Sequence, residues 1–274
     1  MFDESFFDMY NAEEESSGSG TVQQQQSQVQ ESVEKKNFDP AKTYVISVGG
    51  SIISQDKPIT TYIAKLSETI QKLQFEGFNF VLVAGGGKLA RSYISSVKTL
   101  GANAFYQDLV GIHASRLNAL LLIEAVSNTF PKVVTQIEDV KTIIEAGKIP
   151  VLGGLLPGIT TDCVSALTAE FLEATFVNLS NVDGVYSSDP NENPRAKFYP
   201  EISYNRLLSL MKLHSSKPGQ NIILDLPSCL IIARSKVLTL ILDGTDLENV
   251  EAAIRGQEFK GTIVGDFEQV EETD

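Results

Sequence analysis

Phe80-Val81-Leu82-Val83-Ala84-Gly85-Gly86-Gly87-Lys88-Leu89-Ala90-Arg91 joins an unbroken apolar run to three glycines and then to a helix-forming segment with two cations. A strand with one wet face alternates apolar and polar residues, whereas a run apolar at every position suits a strand covered on both faces, as in parallel α/β sheets. Further β-rich runs read at Tyr44–Val48, Val133–Gln136, Ile149–Leu152, Phe176–Ser180 and Thr239–Leu242. Between them, helical spacing reads at Thr60–Phe75, Leu89–Leu100, Gly111–Asn128, Val140–Ala146, Cys163–Glu173, Tyr204–Leu213, Ser228–Lys236 and Leu247–Arg255, as with Ile63, Leu66, Ile70 and Leu73. Alternating strands and helices predict βαβ units. The expected fold class is therefore α/β, a three-layer αβα sandwich around a mainly parallel sheet over residues 43–266, with no internal repeat.

Composition bounds the function. The 274 residues, 42% hydrophobic, suffice for one large or two modest cores. Net charge is −13, of which residues 1–40, with nine acids and two lysines, carry −7. An acidic chain lacks the Lys and Arg excess that replaces counterions on nucleic acid, so no nucleic-acid partner is expected. Cys163 and Cys229 show no metal-ligand spacing, the amino terminus has no secretory apolar core, and no run approaches the roughly 18 apolar residues of a membrane span. A reduced, cytoplasmic setting is the expectation, with no membrane partner and no resident metal. His113 and His214 read as ordinary helix residues. Residues 1–42 read as a disordered acidic extension, with Ser16–Gly20 as a joint and Gln23–Gln26 as a low-complexity tract, and 267–274 as an acidic tail. Phe2, Phe6, Phe7, Met9 and Tyr10 form an apolar cluster in that extension, either a docking motif or a terminus without a specific role.

The chemistry gathers where strands end. Val48 leads to Gly49-Gly50-Ser51, Ala84 to Gly85-Gly86-Gly87-Lys88, and Leu152 to Gly153-Gly154. Side-chain-free backbone admits an anion closely, and a helix starting near Lys88 points free N–H groups and its positive dipole end towards it. Several such turns on one sheet edge suggest a polyphosphate. Neither Gly-x-x-x-x-Gly-Lys-[Ser/Thr] nor Gly-x-Gly-x-x-Gly is present, so neither a P-loop nor a dinucleotide fingerprint is supported. Lys88 and Arg91 share a face of the first helical turn, as a point charge and a bidentate fork for phosphate oxygens, or as two solvated cations. Thr161 or Asp162 is the expected N-cap of the helix that follows, and Asp225 a cap with Pro227 in the first turn. After Thr175-Phe176-Val177-Asn178-Leu179, the stretch Asn181–Pro190 offers a turn at Asp183-Gly184, the flat face of Tyr186 and a stop at Asp189-Pro190.

These motifs, in order, are similar to those of an archaeal-type uridylate kinase of the amino acid kinase superfamily. They are Gly49-Gly50-Ser51, Gly85-Gly86-Gly87-Lys88-Leu89-Ala90-Arg91, Asp108-Leu109-Val110-Gly111-Ile112, Pro157-Gly158, Thr161-Asp162, Asn181–Pro190 and Ile231-Ile232-Ala233-Arg234-Ser235. The resemblance implies transfer of a phosphoryl group from ATP with Mg²⁺ to UMP. It places UMP over Gly86, Asp108 and the loop Leu155, Leu156, Pro157, Gly158, Ile159, Thr160, Thr161. It places ATP along Gly49, Gly50, Ser51, Gly87 and Arg91, with Ser180, Tyr186 and Asp189 framing base and ribose. Lys88, Arg91 and Asp162 take the catalytic roles, Asp162 orienting the cations or the metal, and the assembly implied is a homo-hexamer built from dimers through the Ile112–Asn128 region.

Two departures stand against the superfamily pattern: Ser47 lies where a Lys is usual, and Asp225-Leu226-Pro227 with Leu230 replaces Asp-Pro followed by a Lys. Lys88 is the substitute expected from the facing loop, with Lys217 in reserve. The rival readings are a kinase for another acceptor such as isopentenyl phosphate, for which a His after the glycines is expected, and a non-catalytic nucleotide- or oxoanion-binding member of the fold.

Overall fold

In the computed structural model, residues 39–188, 190, 193–214 and 223–267 are described, all within one compact unit, Lys35–Asp274. The aromatic cluster and the Gln tract of the amino-terminal extension, Asp189 and Lys217 lie outside the described residues. A 3-10 turn, Pro40–Lys42, leads into the sheet. The strands are β1 (Thr43–Val48), β2 (Asn79–Ala84), β3 (Thr129–Val134), β4 (Ile149–Leu152), β5 (Thr175–Ser180), β6 (Val185–Tyr186), β7 (Phe198–Tyr199), β8 (Glu201–Ser203), β9 (Thr239–Asp243) and β10 (Thr262–Gly265). The helices are α1 (Gly50–Ile53), α2 (Thr60–Phe75), α3 (Gly87–Thr99), α4 (Ala104–Ala125), α5 (Asp139–Glu145), α6 (Thr161–Leu172), α7 (Tyr204–His214), α8 (Leu226–Arg234) and α9 (Leu247–Ile254).

Successive strand residues point to opposite faces, and the apolar runs feed two cores in alternation. Val45, Val81, Val83, Phe176 and Ile241 enter a core closed by α5, α6, α7 and α8. Ile46, Phe80, Leu82, Val177 and Leu242 enter the other, closed by α1, α2, α4 and α9. Each large side chain so buried stabilises the fold by about 1.5–3 kcal/mol before entropy is counted. The expected three-layer sandwich is what the chain forms, with strand order β3-β4-β2-β1-β5-β9-β10-β8. The pairs from β3 across to β9 are parallel, while β10 runs antiparallel to β9 and β8 parallel to β10. The chain leaves β1 towards β2 on one side and returns to β5 on the other. The carboxyl end of β1 is thus a switch point, where α/β sheets open a crevice.

Among the boundaries that differ from expectation, three have a plain physical reason. The strand expected at Val133–Gln136 is β3, which starts at Thr129; its Pro131 is tolerated because β3 is the sheet edge, where the register slips between Thr129 and Val133. The helix expected from Gly111 starts at Ala104, where Asn103 accepts a bond from the Tyr106 N–H at 3.2 Å. Gly111 lies inside that helix, where a Cβ would meet the Cδ1 tip of Ile94 of α3 at 3.2 Å. The cap of α6 is Thr160, whose hydroxyl accepts from the Cys163 N–H at 3.1 Å, rather than Thr161 or Asp162. Asp225 caps α8 as expected.

Candidate active site

The glycine turns ending β1 and β2 pack backbone against backbone. A Cβ on Gly50 would lie 1.9 Å from the Gly87 nitrogen, and one on Gly85 would lie 2.4 Å from the Gly50 nitrogen. Gly87 takes φ +65°, and a Cβ there would meet the Gly50 carbonyl oxygen at 2.3 Å. Glycine is required here by the contact of the two turns, before any ligand is considered. The same contact brings the first turns of α1 and α3 together; the first turn of α3 has no side-chain cap, and of its leading N–H groups that of Lys88 donates to the Ser54 carbonyl at 3.4 Å. The third turn, Gly153-Gly154, is pressed on α4: a Cβ on Gly153 would stand 2.9 Å from Ser115 Oγ.

Two cavities open beside these turns. One, of about 410 Å³, is lined by Ser51, Ser54, Tyr62, Lys88, Arg91, Asn181 and Thr245 among others. The other, of about 360 Å³, is lined by Gly86, Gly87, Arg91, Asp108, Gly154, Gly158, Ile159, Thr160 and Thr161 among others. Arg91 lines both. It has no ion-pair partner among the described residues, whereas the Lys88 ammonium sits 2.7 Å from Asp56 Oδ1 in an exposed pair. Asp108 Oδ2 accepts from the Gly158 N–H at 2.8 Å, which ties the 155–161 loop to α4. Leu155, Leu156 and Pro157 belong to that loop but are not lining residues of the second cavity, and Leu156 is exposed.

Asp162 is held from the sheet. Ser47 on β1 and Asn178 on β5 face each other in register, and both donate to its Oδ1, at 2.9 and 3.1 Å. Burial pushes the Asp162 carboxyl up to about 6; the Ser47 bond opposes that, the nearby Asp225 charge adds to it, and the Asn178 bond opposes it. Asn178 Oδ1 is buried without a hydrogen-bond partner. Asp225 accepts from the Ser228 N–H at 2.7 Å and from the Thr160 hydroxyl, so one carboxylate joins the starts of α6 and α8. Cys163 and Cys229 are buried beside it, their thiols pushed up to about 11 and about 12 chiefly by burial, which makes them poor nucleophiles.

Beyond β5, Ser180 Oγ accepts from the Val182 N–H at 3.2 Å, and Gly184 turns with φ +152°. The Tyr186 hydroxyl donates to Asp183 Oδ1 at 3.1 Å, its ring lies 5.1 Å from that of Phe198, and Asp183 pairs with Lys260 at 2.7 Å. Burial works against the Asp183 charge, but the Lys260 and Tyr186 bonds prevail and hold its carboxyl below the usual range. Ser180 and Tyr186 line neither of the two cavities, while Asn181 lines the first. Sequence reasoning missed Asn178, Tyr62, Ser115 and Asn118. For Asn178 a signal existed, a lone amide inside an apolar strand.

Two clefts at a switch point, bridged by an arginine beside uncapped glycine turns, suit a pair of anionic ligands. The family model described as "Amino acid kinase family" matches residues 42–243. The chain belongs to the amino acid kinase family. Its likeness to the archaeal uridylate kinases, expected from the motifs, is borne out. It is 40% identical over 221 residues to the uridylate kinase of Archaeoglobus fulgidus, covering 80% of this chain and 98% of that protein. It is 41% identical over 222 residues to the uridylate kinase of Pyrococcus abyssi, again covering 80% and 98%. The crystal structure of uridylate kinase from Archaeoglobus fulgidus is similar with a TM-score of 0.73 at 38% identity, covering 81% of this chain and 99% of that one. Among the described residues no helix is long and apolar enough to cross a membrane.

Proposed function

We propose that this amino acid kinase transfers the γ-phosphoryl group of Mg²⁺·ATP to the phosphate of UMP, giving ADP and UDP. The observation that carries the reading is Arg91, which lines both cavities and so reaches a donor in one and an acceptor in the other. The uridylate kinase relatives, matched over almost their whole length, support the choice of acceptor.

ATP takes the cavity lined by Ser51 and Lys88, its phosphates running along the Gly49-Gly50 turn to Gly87, which lines the other cavity, with Ser180, Tyr186 and Asp189 towards its base and ribose. UMP takes the cavity of Gly86, Asp108 and the 155–161 loop. A phosphate oxygen of UMP attacks the γ-phosphorus as the bond to the β-bridging oxygen breaks, and the electron pair leaves on ADP. That nucleophile is already anionic and needs little base catalysis, so positioning and charge neutralisation carry the rate. Arg91 spans the transferred oxygens as a fork. Lys88 leaves Asp56 for the phosphates, a small loss because exposed ion pairs contribute at most about 1 kcal/mol. Asp162, charged and fixed by Ser47 and Asn178, orients these cations or the metal. Mg²⁺ arrives on the triphosphate in this reading. The reading carries with it a cytoplasmic homo-hexamer built from dimers through the Ile112–Asn128 region, where Leu117 and Leu120 are exposed.

The test is ADP release with ATP and Mg²⁺ against UMP, CMP, dUMP, AMP, GMP and isopentenyl phosphate. Strong preference for UMP is expected. Preference for another acceptor corrects the substrate, and silence with every acceptor in a protein that binds ATP selects the non-catalytic reading.

A further inference from the structure

The two glycine turns beside the acceptor cavity meet one helix, and that helix treats them oppositely. Asn118 of α4 is 1% exposed, and its amide donates to the Gly85 carbonyl at 2.7 Å and to the Gly86 carbonyl at 3.3 Å. Across a trans peptide the C=O and the next N–H point in opposite directions. Holding those two carbonyls towards α4 therefore turns the N–H groups of Gly86 and Gly87 away from it. Three residues earlier, Ser115 is 2% exposed and gives its own proton to the Ile112 carbonyl at 2.8 Å. Its oxygen is left to accept the Gly154 N–H at 2.7 Å, while Arg116 Nε donates to the Gly154 carbonyl at 3.0 Å. The turn after β2 is thus left with N–H groups to offer, and the turn after β4 has its Gly154 peptide groups occupied.

We infer that Asn118 and Ser115 are positioning residues for phosphoryl transfer: from the buried face of α4 they fix which glycine N–H groups point at the transferred phosphate and which do not. This rests on the kinase reading. Glycine peptides rotate more freely than any others; the Gly85 N–H is held by the Val48 carbonyl at 3.0 Å and the Gly86 carbonyl also takes the Ala90 N–H at 3.2 Å, and Asn118 adds the hold on the Gly85 carbonyl, whose peptide carries the Gly86 N–H. Preorganised donors of that kind matter most as charge develops in the transition state. Neither side chain needs to touch substrate, since both act through the turn peptides. Loss of the hold consequently slows turnover more than it weakens binding.

Asn118→Leu keeps the volume and removes the donors. We expect kcat to fall roughly 10²-fold, the cost of misplaced groups at a reacting centre, with KM for UMP and for ATP within about threefold. Amide exchange at Gly86 and Gly87, read by NMR on the full chain, is expected to speed up. Ser115→Ala, which frees the Gly154 N–H, is expected to lower kcat by a smaller factor, about threefold to tenfold. A folded Asn118→Leu protein with kcat within twofold of wild type, or with KM raised and kcat kept, overturns the proposal. Should that variant not fold, Asn118→Ser, too short to bond the carbonyls, is measured instead with the same expectation. Should the wild-type chain phosphorylate no acceptor, the kinase reading falls; unchanged exchange at Gly86 and Gly87 in the variant then overturns the hold as well, and faster exchange supports it.

Discussion

The turns that end β1 and β2 and the segment that follows β5 reach the same edge of the sheet, yet they are held by different means. At the turns, backbone lies on backbone, and the distances from Gly50 and Gly85 to their neighbours leave no room for a methyl group. After β5, side chains do the holding: Asp183 with Lys260, Tyr186 against Phe198, and a two-residue ribbon of β6 with β7. The first arrangement is specified by what is absent from the side chains, the second by what is present. On the proposed reading, the site is stiff at the phosphates and held by replaceable side chains at the nucleoside.

The comparison breaks most readily at its stiff end. Gly50→Ala forces a methyl group into the Gly87 backbone and is expected to cost about 3 kcal/mol, at the upper end of overpacking. Thermal unfolding checks this, and a midpoint within one degree of wild type would show that the turns are free to separate. Arg91→Ala leaves the fold alone and is expected to lower kcat/KM for UMP by roughly 10²–10³-fold, as for a lost charge-stabilising donor. Steady-state kinetics with each substrate varied separates this from a purely structural loss.

A smaller effect is expected from pH. In the proposed role the Asp162 carboxyl, raised from 3.8 to about 6, acts in its charged form, so kcat of the wild type is expected to fall below about pH 6 with a slope of one. Asp162→Asn removes that limb and stays slow throughout. The folded chain binds this proton more tightly than the unfolded chain does, so its contribution to stability falls as pH rises from about 4 to about 6. Urea unfolding across that range should show the fall in wild type and its absence in Asp162→Asn. At the nucleoside end, Lys260→Ala removes a largely exposed partner of Asp183, and KM for ATP is expected to rise only about twofold. A tenfold rise would place the nucleoside end among the rigid parts.

Much of this was legible in the sequence because the cores impose a period. The central strands carry long apolar runs, unbroken over Phe80–Ala84, and helices such as α2 show a three- and four-residue repeat. The short strands β6, β7, β8 and β10 are two to four residues long, too few for alternation to stand out. The first turns of α4 were hidden by Gly111, read as a start although it lies mid-helix, facing Ile94 of α3. At the site, the glycines were visible but their reason was not, because contact between the turns is a property of the sheet order. Asn178 lies 16 residues from Asp162, and Asn118 lies 32 and 33 residues from the carbonyls it holds. Such pairs are joined by register and helix packing, and no local pattern announces them. The Asp56 partner of Lys88 was missed for the same reason.

The central claim is that two anionic substrates meet across Arg91. Its most direct test is calorimetric binding of adenosine and uridine joined by five phosphates, beside ATP and UMP measured singly. The account predicts that the joined molecule binds at least 10²-fold more tightly than either substrate and that Arg91→Ala removes most of that advantage. Binding no tighter than that of ATP alone would mean that the two cavities do not hold donor and acceptor together, and would contradict it.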